Sequence, residues 1–223
     1  MILDFNGTIS DDERLLFRLF AEALGERGIE LTEETYFGEL SGLSDPEIAE
    51  RGLALGGRAP DRDQVDAVLR QKVARYREEV ERDLPVGEDA RDFVRTLAER
   101  VPVGIASGAA REEVELVIER AGLREVFGGA VVCIDDVDSG KPDPAGYLLA
   151  LARLNEDRGL HNSIVARDVL AIEDSVAGVL AAKAAGLRCA AVAGDERAEA
   201  KADFVIERLD TVAAEALLEP ARA

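Results

Sequence analysis

Three short stretches of this chain place polar side chains at the ends of apolar runs, and a fourth sets a lysine just before a helix. Asp4, Asn6, Gly7 and Thr8 follow the opening run, and Ser107 and Gly108 follow Val101–Ala106. Gly140-Lys141-Pro142 precedes a helix-forming segment, and Glu173, Asp174 and Ser175 follow Asp168–Ile172. Singly, each has a plain structural explanation: carboxylates and hydroxyls at strand ends cap helices and close turns, and a lone lysine is usually a solvated charge. Together they form a set suited to phosphoryl transfer. Two or three carboxylates can hold a hard divalent cation such as Mg²⁺, which takes oxygen ligands and keeps waters for phosphate. A lysine adds fixed positive charge, and a strand-end hydroxyl with backbone N–H groups can cradle phosphate oxygens. One aspartate is then left to attack phosphorus as an aspartyl-phosphate nucleophile.

Positioning such residues requires strands that end together. Met1–Phe5 reads as the tail of a buried strand, short enough against the average of ~5–6 residues that the native chain is expected to begin upstream. From Asp11 to about Asp83 the pattern is helical throughout. Leu15, Leu16, Leu19, Phe20, Ala23 and Leu24 share one face behind the acidic Asp11-Asp12-Glu13, and Gly25 and Gly28 end that helix. A short helix over Thr32–Leu40 follows, then one from Asp45 with Pro46 in its first turn, then a long one carrying Val65, Val68, Leu69, Val73, Tyr76 and Val80. Four amphipathic helices without a strand between them predict a separate helical unit.

After Pro85-Val86-Gly87 helices alternate with the apolar runs Val101–Ala106, Ala130–Ile134, Asp168–Ile172, Arg188–Ala193 and Phe204–Ile206. Unbroken apolar strands alternating with helices predict a parallel sheet covered on both faces. The expected fold class is therefore α/β: a doubly wound parallel-sheet core, Rossmann-like, with a helical bundle inserted after its first strand. The core takes residues 1–10 and 86–223, and the helical unit takes 11–85. Ligands in such sheets bind at the carboxyl ends of the strands, where the polar residues lie.

The bulk properties exclude several function classes. The net charge of -19 would repel nucleic acid and anionic membrane surfaces, so neither is expected as a partner. No apolar run approaches the ~20 residues of a membrane span, and no basic segment leads into a long apolar stretch, which points to a cytoplasmic protein. Cys133 and Cys189 have neither zinc-ligand spacing nor the density of a disulfide framework, and read as buried small hydrophobes. Oligomeric state leaves no mark in the sequence.

The stretches DFNGT (4–8), IASG (105–108), GKPDP (140–144) and IEDSVAGVLAAKAAG (172–186) resemble the haloacid dehalogenase-like hydrolases, in the branch of beta-phosphoglucomutases and phosphoglycolate phosphatases. The helical insertion resembles that branch's cap, so the likeness covers essentially the whole chain. The resemblance implies Asp4 as nucleophile and metal ligand, and Asn6 as the loop position whose backbone carbonyl binds Mg²⁺. It implies Thr8, Ser107 and Gly108 at the phosphoryl group, and Lys141 neutralising the nucleophile and phosphate. It further implies Asp174 as a Mg²⁺ ligand, with Glu173 holding the ion directly or through water. The Glu173-Asp174 pair speaks against a metal-free dehalogenase. The absence of a lysine between Gly38 and Arg58 speaks against a phosphonate-cleaving relative. The implied activity is Mg²⁺-dependent hydrolysis of a small phosphorylated metabolite, a sugar phosphate or a phosphoglycolate-like compound.

Position 6 departs from that pattern. The family carries an aspartate there, whose proton transfers are worth ~10²–10⁴ in rate, and an amide has no such chemistry near neutral pH. Three explanations stand: weakened or rerouted acid/base chemistry, with Asp11 or Asp12 as recruits; a phosphate-ester binder with little turnover; or deamidation of Asn6-Gly7 back to an acid. On the first, Asn6→Asp alone is expected to accelerate turnover on poor leaving groups. A mutase is a further alternative, weakened by Ala109 and Arg111 after Ser107, where that relative offers small polar side chains. The loop Gly38–Asp45 is expected to face the site, with Arg51 and Arg58 as candidates for a distal anionic group. His161, the only histidine, is expected to be incidental.

Overall fold

A computed structural model describes residues 1–57, 59–157 and 164–219. Arg58 and His161 lie outside the described residues. The α/β expectation holds: six parallel strands form one sheet in the order β3-β2-β1-β4-β5-β6. They are β1 (Ile2–Leu3), β2 (Gly104–Ala106), β3 (Val131–Val132), β4 (Leu170–Glu173), β5 (Arg188–Val192) and β6 (Phe204–Ile206). Successive residues point to opposite faces and enter two separate cores. Leu3, Ile105, Val131 and Ile172 join one cluster. Ile2, Ala106, Val132 and Ala171 join the other. Burial on both faces explains why these strands read as unbroken apolar runs rather than alternating ones.

The central strand β1 is paired on both sides, Leu3 opposite Ile105 of β2 and Ile172 of β4. The chain runs from β1 to β2 and β3 on one side, then returns to β4, β5 and β6 on the other. That reversal opens the crevice beside β1 where doubly wound sheets bind ligands.

Between β1 and β2 come helices α1 (Glu13–Gly25), α2 (Glu33–Thr35), α3 (Asp45–Ala54), α4 (Arg62–Arg82) and α5 (Glu88–Ala98). Helix α1 buries Leu16, Leu19, Phe20, Ala23 and Leu24, the i, i+3, i+4 stripe of its sequence. Helix α4 starts on a reciprocal cap, in which Asp61 accepts from the Gln64 N–H at 2.9 Å and Gln64 accepts from the Asp61 N–H at 3.0 Å. Its fully buried stripe is Val68, Lys72, Tyr76 and Val80, so a lysine occupies the middle of an apolar seam. The remaining helices are α6 (Arg111–Arg120), α7 (Arg124–Phe127), α8 (Ala145–Asp157), α9 (Val176–Ala184), α10 (Glu196–Glu199) and α11 (Thr211–Leu218).

One element differs from expectation. Thr32–Leu40 is not a single helix: α2 ends after one turn, and Tyr36–Leu40 forms a π-helical turn closed by the Ser41 N–H on the Tyr36 carbonyl at 2.8 Å. Gly38 in its centre weakens an ordinary helix, and the wider turn buries both Tyr36 and Leu40. Tyr36 and Phe37 pack with Phe17 of α1, ring centroids 5.1–5.8 Å apart. Cys133 and Cys189 are free and buried, as the sequence implied. No helix among the described residues is long and apolar enough to cross a membrane.

Candidate active site

The strand ends bring the predicted residues together. Asp4 continues the ladder of β1, its N–H bonded to the Ile172 carbonyl at 2.9 Å. It therefore stands beside Glu173 and Asp174 at the end of β4. Lys141, just before a cis peptide bond to Pro142, donates to Asp4 Oδ1 and lies 2.6 Å from Glu173 Oε1. Carboxylate oxygens of Asp4, Glu173 and Asp174 lie within 4.8 Å of one another. Gly7 makes the approach possible. Its φ is +72°, and a Cβ there would fall 1.9 Å from Asp174 Oδ2.

Two buried carboxylates, Asp4 and Glu173, share one ammonium, and the half-buried Asp174 stands beside them. Burial and the charge of Glu173 push the Asp4 carboxyl up to about 7, against the pull of Lys141. Burial, then Asp4, then Glu173, raise Asp174 well above the usual carboxylate range. Lys141 is held protonated, because Asp4 and Glu173 outweigh its desolvation. The excess of negative charge on converging oxygens is what a hard divalent cation neutralises, so these residues fit Mg²⁺.

Thr8 and Ser107 lie nearby but differ in engagement. Ser107 Oγ accepts from the Ala109 N–H at 3.0 Å. Thr8 Oγ1 is buried with no hydrogen-bond partner among the described residues. Gly108 holds the loop Gly38–Asp45 against the core, its carbonyl accepting from the Asp45 N–H at 3.1 Å. In that loop Gly42 (φ +84°) packs where a Cβ would come 2.4 Å from Ser175 Cβ. Arg111 is committed elsewhere, to Glu115, Asp136 and the Val131 carbonyl.

Several residues of the site were not legible from sequence. Tyr147, an apolar position on α8, donates to Glu173 Oε1 at 2.5 Å and stacks its ring 5.6 Å from Lys141 Nζ. Glu13 looked like one of several acidic first-turn residues. It lines a small inner cavity of about 20 Å³ together with Asp4, Asn6, Gly108 and Lys141. It also lines an outer cleft of about 1250 Å³ with Asp174, Ser41 and Arg51. Burial and the charge of Asp12 push Glu13 up to about 7, although the Ser41 and Tyr36 hydroxyls donate to it. Asp11 lines the outer cleft and is exposed, whereas Asp12 is buried and lines neither space. A second buried ion cluster joins Lys72 to Asp45 at 2.9 Å and to Glu113 at 2.5 Å.

Known proteins are similar to this chain in sequence and in fold. A phosphatase of validoxylamine A 7'-phosphate from Streptomyces hygroscopicus subsp. limoneus is 33% identical over 115 residues, 51% of this chain and 50% of that protein. A phosphorylated carbohydrates phosphatase from Thermotoga maritima is 29% identical over 191 residues, 84% of this chain and 81% of that one. Among solved structures, a mutant of CbbY from Rhodobacter sphaeroides, in complex with xylulose-(1,5)bisphosphate, superposes with a TM-score of 0.76 at 27% identity, covering 93% of both chains. The sequence model of the haloacid dehalogenase-like hydrolases matches residues 1–186, and the chain belongs to that family.

Proposed function

We propose that this chain is a Mg²⁺-dependent phosphatase that forms an aspartyl-phosphate on Asp4, acting on a small phosphorylated carbohydrate or similar metabolite. The observation that carries the reading is the convergence of Asp4, Lys141, Glu173 and Asp174 at one end of the sheet. The Thermotoga maritima relative named as a phosphorylated carbohydrates phosphatase supports the substrate class.

In this reading Asp4 Oδ attacks phosphorus, the bond to the ester oxygen breaks, and the departing oxygen takes a proton. Water then attacks the aspartyl-phosphate, releasing inorganic phosphate and restoring Asp4. Lys141 neutralises the nucleophile and the phosphoryl oxygens, and Glu173 with Tyr147 fixes the lysine. Thr8 Oγ1 and Ser107 bind phosphoryl oxygens. Asp4, Asp174 and the Asn6 carbonyl would hold Mg²⁺, with Glu173 close behind. When bound, that ion supplies charge neutralisation at the phosphoryl group. Asn6 has no proton to exchange. Glu13 borders the nucleophile's cavity with a pKa near neutrality, and takes over the proton transfer.

The helical segment 11–85 acts as a cap. The inner cavity has room for about one water and not for a phosphate ester, so the cap must open to admit substrate. Arg51, on the outer cleft, is placed to meet a distal anionic group. Asn6 favours a second reading, a phosphate-ester binder with little turnover. The discriminating experiment is a screen of phosphorylated sugars and an aryl phosphate with Mg²⁺ and with chelator. The phosphatase reading expects Mg²⁺-dependent phosphate release that Asp4→Ala abolishes. Binding of phosphate esters without release would establish the binder instead.

A further inference from the structure

The amide at position 6 is not free. Asn6 Nδ2 lies 3.1 Å from Asp12 Oδ1 and 3.0 Å from Asp12 Oδ2. The same carboxylate accepts from Ser10 Oγ at 2.6 Å and from the Tyr76 hydroxyl at 2.5 Å. Asp12 is only 1% exposed, and among the described residues every group bonded to its carboxylate is a neutral donor. Lys72 acts on it through space without a bond. Asp12 precedes α1 at the N-cap position, yet its side chain caps nothing. Among the described residues, its carboxylate bonds only to Asn6, Ser10 and Tyr76.

An amide presents two donors at one end and an acceptor at the other. Only the donor end can face two carboxylate oxygens, so Asp12 fixes which way Asn6 points. A carboxylate at position 6 would put oxygen lone pairs about 3 Å from those of Asp12, in a place with little water to screen them. We propose that Asp12 is a positioning residue that makes an amide obligatory at position 6. Asn6 and Asp12 are then one unit, in which the carboxylate stands one layer behind the inner cavity and the amide borders it.

The consequence is specific. Asn6→Asp alone removes a donor from Asp12 and adds a like charge, so it costs stability and brings no gain in turnover. That reverses the expectation from sequence that this single change activates the protein. Exchanging the two side chains, Asn6→Asp with Asp12→Asn, restores one donor facing one acceptor and leaves Ser10 and Tyr76 with an oxygen to bond. The exchanged pair also sets a carboxylate on the inner cavity.

The test is a double-mutant cycle on the full chain: wild type, Asn6→Asp, Asp12→Asn and the exchange. Thermal unfolding is read in all four, together with turnover on an aryl and an alkyl phosphate. Asn6→Asp is expected to lower the midpoint by about 5–10 °C, and the exchange to recover more than half of that loss. Alkyl phosphate turnover should rise about 10-fold or more in the exchange over wild type, with little change on the aryl ester. Additive losses in midpoint, or an Asn6→Asp variant as stable as wild type and faster, would overturn the proposal. The turnover arm rests on the phosphatase reading and the stability arm does not. Non-additive midpoints with no hydrolysis in any variant would sustain the coupling and sink the phosphatase.

Discussion

Replacing Lys72 by methionine removes one ammonium from between two buried carboxylates while keeping most of the side-chain volume. Lys72 is fully buried, 2.9 Å from Asp45 Oδ2 and 2.5 Å from Glu113 Oε2, and Glu113 Oε1 already has no partner. Taking one member from a buried ion cluster costs about 3–5 kcal/mol, because the charges left behind are uncompensated. Against a total stability of roughly 5–15 kcal/mol that is a large fraction. The pH dependence carries a sharper signature. Burial pushes the Glu113 carboxyl from 4.5 up to about 8, even with Lys72 beside it. A folded value raised in this way gives stability that is complete below the unfolded value and lost as pH rises through about 8. Removing Lys72 raises the folded value further, so the pair takes up a proton at acidic pH and the variant's deficit shrinks. Urea unfolding of Lys72→Met should show a deficit of about 3–5 kcal/mol at pH 8.5 and less than about half of that at pH 5.5. The loop Gly38–Asp45 loses its buried anchor as well, so KM should rise more than kcat falls. A deficit below about 1 kcal/mol at pH 8.5, or one that grows toward acid, would refute the assignment of this cluster as a buried ion network.

Three further outcomes follow from the same geometry. Gly178→Ala places a Cβ within 2.0 Å of the Glu173 carboxylate; Lys141 loses its orientation, and kcat should fall at least about 10-fold by steady-state assay with the fold retained by circular dichroism. Glu13→Gln should lower alkyl phosphate hydrolysis about 10²-fold and aryl hydrolysis far less, since only the poor leaving group needs the proton; equal losses on both would remove Glu13 from that role. Asp4 is raised to about 7, so in metal-free protein its contribution to stability is full below 3.8 and lost as pH rises through about 7. Differential scanning calorimetry should therefore show Mg²⁺ raising the melting temperature more at pH 8 than at pH 5, and chelator reversing it.

The sheet was legible because its strands are buried on both faces. The runs are apolar where their side chains face a core, and Ala106, Ile134, Ile172 and Ile206 are each followed by a polar residue. The gathering of Asp4, Ser107, Glu173 and Asp174 followed from those stops, because the ends of parallel strands lie on one side of the sheet; Lys141, in the loop before α8, was placed by the family resemblance. What stayed hidden depends on long-range packing. Tyr147 reads as one more apolar residue of α8, and only the fold brings its hydroxyl to Glu173. Lys72 sits at the spacing of an apolar stripe, and its partners Asp45 and Glu113 are 27 and 41 residues away. Asp12 had every local sign of a helix start, and the Tyr76 hydroxyl, 64 residues on, is part of what buries it. The helix expected over Thr32–Leu40 was broken by a five-residue turn that serves the Tyr36, Phe37 and Phe17 packing.

The central claim is that Asp4 carries the phosphoryl group in turnover. Acid-quenching the full-length protein after brief reaction with a phosphate ester and Mg²⁺, then mapping the modified peptide by mass spectrometry, tests it directly. The account predicts phosphate on Asp4 in wild type, none in Asp4→Asn, and none in chelator. Phosphate release at the wild-type rate by Asp4→Asn, or a phosphoryl group on another residue, would contradict it.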